Sequence, residues 1–131
     1  MTVMLRNDQS EAEARRVIEA YFPLFSKRDI SGLLEVVNFP HIRIAKGKIT
    51  VIESPEKWQG DPTPLDPKEG WHRSGLDSLE FIQSSHDKVH AIVVFSRYKE
   101  DGSRYVTYPT LWIVTKVNGH WGIQIRSTFA P

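Results

Sequence analysis

Hydrophobic positions in the last third of the chain fall into three runs of β-branched and aromatic residues separated by turn signals. Val89 to Tyr98 is followed by Asp101-Gly102, Arg104 to Val117 carries Leu111-Trp112-Ile113-Val114, and Trp121 to Phe129 closes the chain. Asn118-Gly119, between the second and third runs, suits a type I′ turn, because both residues tolerate the positive φ that such a turn needs. The pattern predicts an antiparallel meander, which needs a cover on one face. The first third of the chain supplies it. Ala14, Val17, Ile18, Tyr21 and Phe25 recur at helical spacing, with Arg15, Arg16 and Glu19 on the opposite side. Ser10 and Glu13 have capping-box spacing, so the helix is expected to open there. It should run to Ser26 with a kink at Pro23, which lacks an amide donor.

Asp29 can cap a second short helix from Ile30 to Val37, burying Leu33, Leu34, Val36 and Val37, and Pro40 prevents its continuation. His41 to Ala45 alternates polar and apolar residues, and Lys46-Gly47 turns the chain into Lys48 to Ile52, a short hairpin. Ser54-Pro55-Glu56-Lys57-Trp58 opens a third short helix. Between Gly60 and Gly70 three prolines and no periodicity mark a loop of a length that is usually functional or disordered. A strand resumes at Trp71, broken or bulged near Gly75. Helices followed by antiparallel strands define an α+β domain. Simple alternation in the last strand turns Trp121, Ile123, Ile125 and Phe129 toward the helices and Gln124 and Arg126 away. Arg126 and Arg97 are therefore expected on the surface or on a dimer face.

Composition adds exclusions. At 131 residues, 40% hydrophobic and 25% charged, the chain is expected to form one domain with a substantial core. A net charge of +1 with interspersed signs gives no electrostatic footprint for nucleic acid or an anionic membrane surface. The absence of cysteine excludes disulfides, thiolate catalysis and cysteine-ligated zinc. His86 and His90 are four apart but fall in a turn and a strand, where that spacing does not converge on a metal. No nucleotide fingerprint is present. Neither a metal nor a cofactor is expected. The N-terminus shows no apolar leader and no run reaches membrane-spanning length, so the cytoplasm is the expected location.

Two stretches carry a family resemblance. One is Tyr21 to Val37, which contains Phe25-Ser26-Lys27-Arg28-Asp29-Ile30-Ser31-Gly32-Leu33. The other is Thr110 to Phe129, which contains Asn118-Gly119-His120-Trp121-Gly122-Ile123. They resemble the helix-turn-Asp-helix junction and the closing hairpin of the NTF2-like superfamily, with its SnoaL-like and ketosteroid isomerase-like proteins. The resemblance implies a single domain over residues 1–131, with residues 1–9 flexible. It also implies a cystatin-like cone, in which a curved antiparallel sheet wraps a long bent N-terminal helix. A pocket for a small-molecule ligand at the open end, and a homodimer through the sheet, follow from the same likeness. Tyr21 resembles the tyrosine that donates to a developing oxyanion in isomerase-like members. The position of their proton-shuttling aspartate falls near Ala45, on a strand with no carboxylate.

His41 and Arg43 share one strand face, near that missing acid. Histidine suits proton transfer near neutral pH, and arginine can hold a carboxylate or enolate oxygen. Tyr21, His41 and Arg43 are thus the candidate catalytic residues. The alternation equally allows Ile42 and Ile44 to face the core, leaving both polar residues in solvent. Trp58 and Trp71, bracketing the Pro-rich loop, join Tyr108 and Trp112 as candidate walls of a pocket for a small, largely apolar molecule. One functional reading is cofactor-free acid-base chemistry of isomerase, cyclase or hydratase type, beside a carbonyl. The others are a non-catalytic ligand-binding or dimerisation domain, and a protein-interaction module.

Overall fold

The structure, a computed structural model, describes residues 5–131. Helix α1 (Asp8–Ser26) is followed by α2 (Ile30–Leu34) and then by six strands: β1 (Val37–Ala45), β2 (Lys48–Ile52), β3 (Arg73–Ser84), β4 (Lys88–Tyr98), β5 (Arg104–Val117) and β6 (His120–Thr128). They form one sheet in the order β2-β1-β6-β5-β4-β3. Every neighbouring pair is antiparallel except β1 and β6, so the chain's first and last strands run side by side. The expected α+β cone is observed, with α1 lying across the inner face of the curved sheet.

The helix starts three residues earlier than the capping-box spacing suggests. Asn7 is the cap, its side-chain oxygen accepting from the Ser10 amide at 3.0 Å. Glu11 is held by Arg6 and by the Ser84 hydroxyl, while Glu13 pairs with Arg16 instead of reaching back. The expectation of a flexible segment over residues 1–9 falls partly on residues 1–4, outside the described residues. Leu5 and Asn7 bond to Ser84 of β3, and Asp8 already belongs to α1.

The helical stripe packs as its spacing predicts. Ala14, Val17, Ile18, Tyr21, Phe22 and Phe25 are all buried, against Val89, Ala91 and Val93 of β4 and Trp112 and Val114 of β5. Each large apolar side chain so buried contributes about 1.5–3 kcal/mol. Pro23 lies inside the helix on its exposed side. α2 is shorter than the span Ile30 to Val37: Asp29 caps it, accepting from the Gly32 amide at 2.8 Å, but Val36 and Val37 leave the helix. The Val36 carbonyl accepts from Ile123 N–H, and Val37 pairs with Ile123, so β6 recruits these β-branched residues into the sheet.

Asn118 and Gly119 adopt φ of 50° and 81°, and Lys46 and Gly47 adopt 50° and 73°, the positive values that the two tight turns require. The third helix expected at Pro55 is a single 3-10 turn, Pro55–Lys57. β3 bulges at Asp77 and Ile82 rather than at Gly75.

One bulge changes the interior. Ile113 pairs with Ile125 and Val114 with Ile123, so Gln124 is an extra residue in β6. Such an insertion exchanges the two faces of a strand beyond it. Trp121 and Ile123 point inward as expected, but beyond the bulge Arg126 is buried inside, Ile125 is half-exposed and Phe129 is exposed. The expectation of an inward Ile125 and Phe129 with a peripheral Arg126 is corrected on this ground. Arg97 is corrected too: it continues the inward series Val89, Ala91, Val93 of β4 and is 2% exposed.

Candidate functional site

The C-terminal half of α1 and the open end of the cone meet around a cleft. Tyr21, Phe22, Phe25, Phe95 and Trp112 give it an aromatic wall, and Arg43, Arg97 and Arg126 bring guanidinium groups to it. Free volume inside is about 20 Å³, the space of a single water molecule. Trp112 stacks on Phe22 at 5.6 Å between centroids and meets Tyr21 edge-on at 4.9 Å.

The polar centre is a triad drawn from three parts of the chain. Tyr21 of α1 donates its hydroxyl proton to Asp61 Oδ2 at 2.7 Å. Arg126 of β6 donates from Nη1 to the Tyr21 oxygen at 2.6 Å, and its Nη2 lies 3.2 Å from the Asp61 carboxylate. Asp61 comes from the loop after Trp58. Its Oδ1 also accepts the Thr63 amide at 2.9 Å and the Thr63 hydroxyl, closing a local Asx turn. Both charged side chains are almost fully buried.

Burial alone raises the Asp61 carboxyl, but the Arg126 charge and the bonds from Thr63 and Tyr21 outweigh it and hold the group at about 2. Burial likewise disfavours the Arg126 cation, and Asp61 and Tyr21 reverse that, so its pKa is raised. Burial pushes the Tyr21 phenol up, with Arg126 opposing and Asp61 reinforcing. Tyr21 is therefore a neutral phenol whose one proton is already engaged. An oxyanion in the cleft would compete with Asp61 for it.

His41 is buried at 1% exposure on the inner face of β1, so the alternation resolves with Ile42 and Ile44 outward. Its Nδ1 lies 3.0 Å from the Ile123 carbonyl oxygen, which fixes the proton on Nδ1 and leaves Nε2 as an acceptor without a partner. Burial, reinforced by the Arg126 charge, lowers its pKa to about 4. The ring sits edge-on to Trp58 at 5.9 Å and is not part of the cleft wall. Arg43, paired with Arg126 across the β1–β6 ladder, does reach the wall. Its Nη2 donates to the Pro131 oxygen at 2.8 Å, tying down the end of the chain.

Of the four aromatic candidates only Trp112 lines the cleft. Trp58 is buried and donates to the Ile30 carbonyl at 3.0 Å, anchoring the start of the 59–72 loop to α2. Trp71 donates to the Ser74 hydroxyl and packs against Phe25, anchoring the loop's other end. Tyr108 packs on Phe95 beneath the Arg97 guanidinium. The structure thus brings Tyr21, Arg43 and Trp112 together and sets His41, Trp58, Trp71 and Tyr108 around them.

Asp61, Arg97 and Arg126 are the site residues that sequence reasoning missed. Asp-Pro-Thr at the start of an aperiodic loop carries an Asx-turn signal for Asp61. Nothing local in the sequence marks the bulge that turns Arg126 inward.

No protein-family model and no curated protein matches the chain. Solved structures do. A cystatin-like-fold protein of unknown function from Nostoc punctiforme is 14% identical with a TM-score of 0.71, covering 98% of this chain and 96% of its own. An NTF2-like protein of unknown function from Pseudomonas putida is 16% identical with a TM-score of 0.70, covering 95% and 89%. An NTF2-like superfamily protein from Salmonella enterica is 13% identical at a TM-score of 0.64, covering 95% and 92%. Likeness at these identities is of fold: the chain has the NTF2-like, cystatin-like α+β fold. Among the described residues no helix is long and apolar enough to cross a membrane.

Proposed function

We propose that the cleft is a binding site for a small, largely apolar molecule, and that the protein holds this ligand without transforming it. One observation carries the reading: the titratable groups that isomerase-type chemistry would use are engaged elsewhere. The Tyr21 hydroxyl donates its hydrogen bond to Asp61, Asp61 is held ionised by Arg126, and His41 is neutral and outside the cleft wall. A general base near neutral pH needs reach as well as a suitable pKa, and none of these groups combines the two. An aromatic wall with a few fixed polar groups is what small-molecule sites share. Because the free volume is that of one water, a ligand enters by displacing the 59–72 loop, whose Thr63 forms part of the wall. The test is ligand-observed NMR with a fragment set of acids, bases and neutral aromatics, run on the wild type and on Phe95→Trp, which fills the cleft. Fragments should bind the wild type and lose contact in the variant. Equal binding to both, or none to either, overturns the reading.

A homodimer through the outer face of the sheet is a second reading with its own observation. Ile44, Ile49, Val51, Leu111 and Phe129 are exposed on or beside that face, and Ile42, Ile113 and Ile125 lie half-exposed in one row across β1, β6 and β5. A contiguous apolar patch of this kind marks an association surface. Its central row carries no charge, so two copies of it can meet without like-charge repulsion, which a two-fold interface through this row requires. Sedimentation at micromolar concentration should show a dimer, and Leu111→Lys a monomer. A monomeric wild type refutes it.

A further inference from the structure

We propose that Arg97 is the anchor of a carboxylate subsite, and that the ligand of the cleft is a small monocarboxylate with an apolar body. The inference rests on the cleft being a ligand site and adds the chemistry of what it takes.

Arg97 projects inward from β4 and is 2% exposed. Its guanidinium donates no hydrogen bond to any described residue, and its Nε is buried without a partner. The nearest opposite charge is Glu69 Oε2 at 3.7 Å from Nη1, beyond hydrogen-bonding distance. Face-on packing over the Tyr108 ring, at 5.2 Å, is the remaining compensation. The other two arginines of the cleft differ. Arg126 bonds Asp61 and Tyr21, and Arg43 bonds the chain's final carbonyls. A buried cation with an idle donor fork is costly unless something pairs with it.

The wall contains no acidic residue, and while Asp61 neutralises Arg126, Arg97 leaves positive charge facing the space the wall encloses. A planar carboxylate matches the guanidinium fork with two parallel N–H···O bonds, which the compact ammonium of a lysine would not select. Phe22, Phe95 and Trp112 beside it receive an apolar body. Glu69 stands 3.7 Å from Arg97, and Asp61 pairs with Arg126 of the same wall, so a second negative charge on the ligand meets repulsion. That favours a monoanion over inorganic phosphate.

Glu69 has a defined part in this arrangement. It sits in the 3-10 turn Pro67–Glu69 of the 59–72 loop, and its Oε2 also accepts the Tyr105 hydroxyl at a long 3.4 Å. Held loosely, it stands where a ligand carboxylate would make shorter bonds. Binding therefore displaces Glu69 from Arg97 and loosens the loop over the cleft, which also gives the guest its way in.

Isothermal titration calorimetry on the full chain tests this with benzoate, its neutral analogue benzamide, and inorganic phosphate as probes. Benzoate should bind about tenfold or more tighter than benzamide, as a charge-assisted bidentate pair implies, and phosphate should bind more weakly than benzoate. Arg97→Met keeps the apolar stem and removes a buried charge that donates no hydrogen bond, leaving the partly exposed Glu69 to solvent, so it should fold with little loss of stability while losing the preference for benzoate. Glu69→Gln removes the internal competitor and should tighten benzoate several-fold. Benzamide binding as well as benzoate, a preference unchanged in Arg97→Met, or tighter binding of phosphate overturns the proposal. If neutral fragments bind in the NMR screen but benzoate does not bind at all, the carboxylate subsite fails and the ligand site stands. If nothing binds in either experiment, both fall.

Discussion

Replacing Asp61 by alanine should lower the unfolding free energy by about 3–5 kcal/mol, the cost of leaving one partner of a buried ion pair uncompensated. The substitution strands Arg126 with a side chain only 5% exposed, and also removes the acceptor of the Tyr21 and Thr63 hydroxyls. Urea unfolding reads the loss directly as a lower midpoint, provided the slope is unchanged. The double variant Asp61→Ala with Arg126→Met separates the two contributions. Deleting both charges removes the stranded cation, so much of the loss should return, and the pair's coupling energy follows from the cycle. If the single variant is destabilised by less than about 1 kcal/mol, Arg126 has found water or another partner, and the Asp61–Arg126 pair is not held out of water in solution. A large loss in the double variant as well would place the cost in the Asx turn of the loop rather than in the ion pair.

Acidification from pH 6.5 to pH 4 should destabilise the protein by about 3 kcal/mol through His41 alone. The folded ring stays neutral down to about 4, because burial and the neighbouring Arg126 disfavour its cation. The unfolded chain protonates the same ring near its ordinary value of 6.5. Between those values the unfolded state binds more protons, so stability rises with pH across this window and is lost on descending through it. Asp61 acts lower down. Its folded value of about 2 lies below the ordinary 3.8, so its contribution is present above 3.8 and is lost as pH falls toward 2. The two groups therefore give two successive acid-side losses. In His41→Asn the first slope, between pH 6.5 and 4, should flatten while the second persists. A wild-type stability that is level over that upper range would mean that His41 is solvated or paired in solution, contrary to its unpartnered Nε2.

These two residues also show how far the chain could be read without its fold. Helical spacing placed Tyr21 among the buried residues of α1 correctly, since a stripe at period 3.6 has only one apolar side to turn inward. For His41 the alternation established that it shares a face with Arg43 and left open which face that is. The sheet is apolar on both sides, with Ile42, Ile113 and Ile125 outside and Val114, Trp112 and Ile123 inside. Period-2 patterning orients a strand only when one face is polar. Arg126 was misplaced for a different reason. Strict alternation holds only along an unbroken ladder, and the extra residue Gln124 reverses the count. Asp61 lay in a stretch without periodicity, where local chemistry identifies a turn but not the partner that the turn delivers its carboxylate to.

The sequence by itself determined the element order, the hairpin turns at Lys46-Gly47 and Asn118-Gly119, the buried stripe of α1 and the α+β class, because each depends on residues near one another in the chain. The tertiary structure alone decided which charges are inside. The Tyr21–Asp61–Arg126 triad joins residues separated by 40, 65 and 105 positions, and Arg97 lies within a wall assembled from several strands, a helix and a loop. Burial and electrostatic pairing are properties of what surrounds a group in space. For these side chains that surrounding exists only once the sheet has curved around α1 and the loop has closed over its end.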